Sequence, residues 1–378
     1  MRMKRERGIM LVFLSASLGM LLVLGYASLS RTSNEVQLSR WSADWSRAHA
    51  LAEAAIDQSI KQLHVGSFSN VSTTSLGEGT MWADVTATGG PLEFLIQGHG
   101  LYEAAPRNLE AVAQLVQTSV FQFALFGNQQ LTVSGDVVTD SYNATQGAYN
   151  AATAGDEGDI GTNSIATGGI VISGNLVVNG QVVVGPDVAD PSSVVTISGG
   201  SAIITGSPQI VGLTSTMPMP PVTVPTDIPC PNMTLNGGSP TTLSSAVGVY
   251  CFHNLKVGGG ATLTADGPVK VYITGQFDAS GNATVGVPSE PKNFLMLVTS
   301  TQQATIESGL TGTTQFYGGL YAPNTTIQID GNARVFGSVI AQRVDVPGNA
   351  QIHYDESLGT LMDPPGFYRV RIVSWREL

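Results

Sequence analysis

Seven residues near the C-terminal end have the types that sugar-cleaving chemistry uses: Asp330, Arg334, Arg343, Asp345, His353, Asp355 and Glu356. A glycoside hydrolase needs two carboxyl groups facing one bond, and a lyase-type site needs carboxylates with Arg or Lys nearby. A glycine-marked repeat carries these residues, and in its register Asp330 matches Pro347, so no second carboxylate stands beside it. Asp345 falls on the alternate strand position. The spacing reads as turn acids and a solvated edge, and no enzymatic activity is expected. Asp156, Glu157 and Asp159 offer oxygens to calcium but lack the twelve-residue loop pattern. Cys230, Cys251 and His253 fall short of the ligand count a zinc site needs. Gly258-Gly259-Gly260 is followed by no Lys-Ser/Thr pair and reads as a turn. No cofactor and no metal are expected.

The first element of the chain is a long helix. Ile9 to Leu29 is 21 residues without a charge, about 31 Å of helix and one hydrocarbon core. Arg2, Lys4, Arg5 and Arg7 precede it, which under the positive-inside rule keeps the N-terminus cytoplasmic and the bulk outside. The pattern continues past the membrane. Trp41, Trp45, Ala48, Ala52, Ile56, Ile60 and Leu63 recur at gaps of three or four, and no Pro or Gly lies between Tyr26 and Leu63. A single helix from Ile9 to Leu63 is expected, with Trp41, Trp45, Ala52, Ile56 and Ile60 as its packing residues. A cleavable signal ending near Ala27 and a plain single-span anchor are the alternatives.

The residues of this segment resemble the N-terminus of the PilX family of type IV pilus assembly proteins. Arg7-Gly8-Ile9-Met10-Leu11-Val12 is similar to that family's start, and His49-Ala50-Leu51-Ala52-Glu53-Ala54-Ala55 is similar to its alanine-rich helix. The resemblance implies prepilin cleavage between Gly8 and Ile9. Phe13 stands where most mature pilins carry Glu, as in some tip-located and minor pilin-like proteins.

The formal net charge is −11, and the first seven residues carry four cations and one anion, so the remainder is near −14. Nucleic acid is excluded as a partner, because it needs a basic surface. Charged residues are 12%, half the usual share, and 44 glycines point to tight turns and sheet. Outside the membrane, Cys230 and Cys251 can form a disulfide closing a loop of about 20 residues, worth roughly 3 kcal/mol; two free buried thiols are the alternative.

After the helix, Met81–Thr88, Glu93–Glu103 and Leu109–Val116 read as antiparallel strands that would cover Trp41, Trp45 and Ile56. From Leu131 a repeat takes over, as in LTVSGDVV, IVISGNLVV, IQIDGNARV and VDVPGNAQI. Its glycines recur at spacings such as 17 (Gly331 to Gly348), 22 (Gly259 to Gly281) and 25 (Gly174 to Gly199). Periods near 20 signal stacked coils. The fold class expected is mainly β with one long N-terminal helix: a pilin-like helix, a small antiparallel sheet, then a parallel β-helix. An antiparallel sandwich is the alternative. Residues 212–231 hold six prolines and would run outside the coils.

The expected organisation is a basic leader over 1–7, a transmembrane helix over 8–30 and its amphipathic continuation over 31–64. A sheet region over 65–126, the β-solenoid over 127–355 and a tail over 356–378 follow; in the tail Asp363-Pro364-Pro365-Gly366 ends the coils and Phe367–Trp375 reads as a last strand. Phe123–Asn128, Phe316–Asn324, Gly348–Glu356 and the closing Val373–Leu378 resemble bacterial proteins in which a PilX-like N-terminus carries a Gly-rich β-solenoid without established activity. The resemblance implies a single-pass subunit of the bacterial inner membrane. Its expected partners are membrane lipid, other pilin-like subunits and surface polysaccharide. A polysaccharide-binding or -degrading β-helix protein is the competing reading, with Tyr272, Phe277, Phe316, Tyr317, Tyr321 and Phe336 as its aromatic stripe.

Overall fold

The computed structural model describes residues 3–64, 67–90, 92–238, 240–300, 308–310, 312–362 and 368–378, with helix side chains from Leu14 onward. The chain is mainly β with one long N-terminal helix. It divides into two compact units, Met1–Val116 with Val370–Leu378, and Gln117–Arg369.

In the first unit, helix α1 runs unbroken over Met3–His64, about 93 Å. Four strands follow as an antiparallel meander: β1 (Val71–Leu76), β2 (Gly79–Ala87), β3 (Glu93–Tyr102) and β4 (Ala105–Gln117). The end of α1 lies on β2 and β3. Ala48, Leu51, Ala52, Ala55, Ile56, Ser59 and Leu63 are all buried there. Small residues on both sides set the close approach: a Cβ on Gly100 would fall on the Ala48 carbonyl, and one on Gly98 would meet Ala52 and Ile56.

One expectation fails in this unit. The sheet does not cover the tryptophans; Trp41 is 65% and Trp45 41% exposed, and Ile60 is only half-buried. The buried stripe instead begins at Ala48, where α1 first meets glycines rather than side chains. The last strand expected within the tail over 356–378 forms. Tyr368–Glu377 returns to the meander and pairs beside β4. It is held by Arg107 to Glu377 at 2.8 Å, Arg376 to Glu110 at 2.5 Å, and the Leu378 amide donating to the Asn108 carbonyl at 3.1 Å. The Asp363-Pro364-Pro365-Gly366 segment lies outside the described residues.

The second unit holds a 22-stranded sheet whose strand pairings are parallel, which excludes the hairpin sandwich among the described residues. Its strands form three rows, each nine levels deep. Row one, from one end to the other, is Ile210–Gly212, Val182–Val184, Ile160–Thr162, 125–127, 339–341, 320–322, Phe294–Val298, Val269–Ile273 and Val249–Phe252. Row two begins at Val195–Ile197 and ends at Met233–Asn236; row three begins at Ser201–Ile204 and ends at Thr241–Leu243. Alternate residues point inward, and one apolar core runs through the levels, including Leu131, Ile172, Phe277, Phe316 and Val344. At the turn between rows two and three a glycine with positive φ recurs, as at Gly331 (φ 66°), where a side chain would collide with Gly312 one level away. Gly200, not Gly199, falls opposite Gly174, since Ser201 pairs with Asn175.

The levels do not follow chain order. The chain enters in the middle, with 125–127 on the fourth level and 131–162 on the third, and proceeds to the end level at 195–212. Residues 213–232 then cross to the far end, and 233–355 coils back until it meets its own beginning. Val344 pairs with Leu131, and Ile352 with Thr139. The crossing is the proline-rich stretch. Eight level spacings are about 38 Å, and twenty residues of extended chain reach about 62 Å. Prolines suit it because they hold the chain extended and offer no N–H for a rung. The strap lies on the outer face of row one. Met217 is buried against Phe126, Val183 and Tyr321; its amide donates to Asn163 Oδ1 (2.8 Å) and its carbonyl accepts from Asn163 Nδ2 (2.7 Å). Tyr321 Oη donates to the Pro220 carbonyl at 2.7 Å. At the far end Cys230 and Cys251 are joined by a disulfide, with Cα atoms 4.6 Å apart.

Candidate functional site

Two places combine exposed chemistry with a built framework, one in each unit. In the first unit, Trp41 and Trp45 sit one helical turn apart and stack, their centroids 5.6 Å apart. The Arg107 guanidinium of β4 lies 3.9 Å from the Trp45 ring centroid, its other side tied to Glu377. With Leu38 and His49 they line a shallow cleft of about 460 Å³. Above it, Leu14 to Leu29 is apolar and exposed all round, and α1 holds one segment long and apolar enough to cross a membrane. Gly8 and Ile9 are helical in their backbone; their side chains lie outside the described ones.

In the second unit, row three turns two columns of side chains outward where the returning run meets the first. One column is Tyr317, Phe336, His353 and Asp140, on four successive levels. Tyr317 stacks on Phe336 at 4.5 Å and Phe336 packs on His353 at 4.9 Å. His353 Nδ1 and Asp140 Oδ1 are 2.6 Å apart and both residues are buried. The loop after 142 covers this column: Tyr149 stacks on His353 at 3.8 Å and donates to Asp140 Oδ2 at 2.7 Å. Burial and that hydrogen bond push the Tyr149 phenol well above its ordinary pKa. The other column is Gln315, Arg334, Gln351 and Val138, and it stays open. With Thr313, Asn332, Asn349 and Asp136 from the adjoining turns it lines a cleft of about 590 Å³.

The C-terminal acid cluster does not come together. Asp355 caps Ser357 and accepts the Ala144 amide at 3.0 Å; Glu356 accepts from Ser141 Oγ at 2.9 Å. Asp330 accepts the Gly331 amide at 2.6 Å, and Arg343 reaches Gln129 at 3.4 Å. His353 takes a partner, Asp140, that lies 213 residues away and that sequence reasoning missed. Asp156, Glu157 and Asp159 line a cleft of about 380 Å³ with Gln122, Gln181 and Tyr354. Burial raises the Glu157 and Asp159 carboxyls. No three His, Cys, Asp or Glu among the described residues are grouped as a metal would require. His253 bonds Thr274 at 3.0 Å. The aromatic stripe expected for sugar binding is not a surface: Phe277, Phe316 and Tyr321 are fully buried, Phe336 is buried, and Tyr272 and Tyr317 are half-buried.

A family model described as a domain of unknown function (DUF7305) matches residues 241–361, about a third of the chain and all within the second unit. No curated protein matches. Among solved structures, the competence-associated pilin ComZ from Thermus thermophilus aligns over 89% of this chain and 97% of its own, at 10% identity and a TM-score of 0.23. A score that low carries no argument about shared fold.

Proposed function

We propose that the chain is a membrane-anchored, pilin-like structural subunit with no enzymatic activity. Its parallel stack, read as a β-solenoid, would be displayed outside the bacterial inner membrane, in a minor or accessory role in assembly or adhesion. The observation that carries this reading is α1: 62 residues without a break, apolar and exposed at one end, buried on a small sheet at the other. Lys4, Arg5 and Arg7 before the apolar run favour a cytoplasmic N-terminus. The tryptophans add a second argument. Trp41 is twelve residues past Leu29, about 18 Å along the axis, whereas the headgroup layer adds only about 5–7 Å beyond the hydrocarbon. Trp41 and Trp45 therefore stand above a lipid belt, where a neighbouring subunit's helix would cover them.

N-terminal sequencing of the protein recovered from membranes tests the reading. We expect a start at Ile9, and a photoreactive residue at position 41 that crosslinks to a second membrane-anchored subunit. A start at Ser28 removes the anchor and ends the proposal; an intact Met1 with no crosslink reduces it to a simple anchored protein.

A further inference from the structure

The open column on row three is a polar groove among residues whose hydrogen-bonding capacity is unspent. Asn332, Arg334 and Gln351 are exposed and their side chains make no hydrogen bond among the described residues. Asn349 uses its oxygen on the Asp136 amide (3.2 Å), and Gln315 uses its oxygen on Tyr317 Oη (2.9 Å), while neither amide nitrogen makes a hydrogen bond among the described residues. The guanidinium of Arg334 has no carboxylate partner among the described residues. It lies near enough to the Tyr149 and Tyr317 phenols to oppose the rise in their pKa values that burial causes. The cleft lining holds one cation, Arg334, and one carboxylate, Asp136, which accepts from Asn175 Nδ2 at 2.8 Å. The cleft, about 590 Å³, is within the range of sites that hold small ligands.

We propose that this groove binds an acidic oligosaccharide, one carrying a carboxylate on some of its sugar rings. Four levels span about 14 Å at the strand spacing, enough for a short run of pyranose rings, with three levels offering a polar side chain and the fourth Val138. Amides donate and accept at once, as adjacent sugar hydroxyls do. Arg334 presents a planar fork that a carboxylate engages with two bonds. A peptide fits poorly, because these levels lie mid-stack with their main-chain groups already paired and leave no edge to extend. One isolated cation is too little for a nucleic acid. The assignment does not depend on whether α1 spans a membrane.

Isothermal titration of the full chain in detergent micelles with oligogalacturonate tests this, with cellooligosaccharide and oligo-glutamate of matched length as comparators. We expect saturable oligogalacturonate binding that weakens as salt rises and falls roughly tenfold or more in Arg334→Gln, the loss of a charge-assisted hydrogen-bonded pair. Gln351→Ala should weaken it less. Both positions are exposed, so the melting temperature should hold and report that folding is intact. Absence of saturable oligogalacturonate binding overturns the proposal. So does equal affinity in Arg334→Gln, or tighter binding of oligo-glutamate.

Discussion

Asp159 sits in the cleft beside Gln122, Gln181 and Tyr354, where burial raises its carboxyl above the ordinary range and the Gln181 amide, 2.6 Å from Oδ1, works against that rise. A carboxyl whose folded-state pKa is raised makes the fold less stable at pH values where it is ionised, and that penalty shrinks as pH falls below the raised value and is gone below the unfolded-state value. Asp159→Asn keeps an oxygen for Gln181 and never ionises. It should raise the melting temperature at pH 7.5, with the gain shrinking toward pH 4; thermal melts across that range measure it. A lower melting temperature at pH 7.5 would mean the hydrogen bond outweighs the burial. At this scale the helix side chains were half legible. Ala52 and Ile56 lie on the periodic stripe and are buried, but the same stripe took in Trp41 and Trp45, because periodicity marks an apolar face without saying how far a partner extends along it.

The strap over 213–232 shows what an element's composition discloses. Six prolines forbid an interior strand, so an extended path outside the coils was readable from them. Its destination was not, because the contacts that guide it are single residues far apart in sequence: Met217 with Asn163, and Pro220 with Tyr321. The strap also holds the far end through the Cys230–Cys251 disulfide. Cys230→Ser with Cys251→Ser should lower stability by about 3 kcal/mol, and Tyr321→Phe by about 1 kcal/mol, both read from urea unfolding. If neither variant shifts the midpoint, the strap is not part of the cooperative unit. β1 escaped notice because its VSTTSL sequence lacks alternation and most of its side chains are exposed.

At the scale of the molecule, the repeat motif predicted coils and gave no hint of their order. Similar turns at similar spacing fit any neighbour, and the pairing of Gln351 with Val138 joins positions that sequence proximity would never connect. The fourth level is composite, built from 125–127 of the first run and 344–355 of the second. Each run therefore buries its inner end against the other, as stacked repeats must. Removing 344–355 should expose both, with 125–142 and 327–340 becoming sensitive to limited proteolysis together, as mass spectrometry would show. Persistent protection of 125–212 would mean the runs fold independently. Contacts this distant in sequence also predict slow folding of the second unit.

The crossing chain also constrains how this architecture can vary among relatives. A coil inserted beyond 212 or before 233 moves the two ends apart by one strand spacing, about 4.8 Å, and extended proline-rich chain covers that with about one and a half residues. Coil number and crossover length should therefore change together across homologues, the proline-rich segment serving as a molecular ruler for how tall the column can grow.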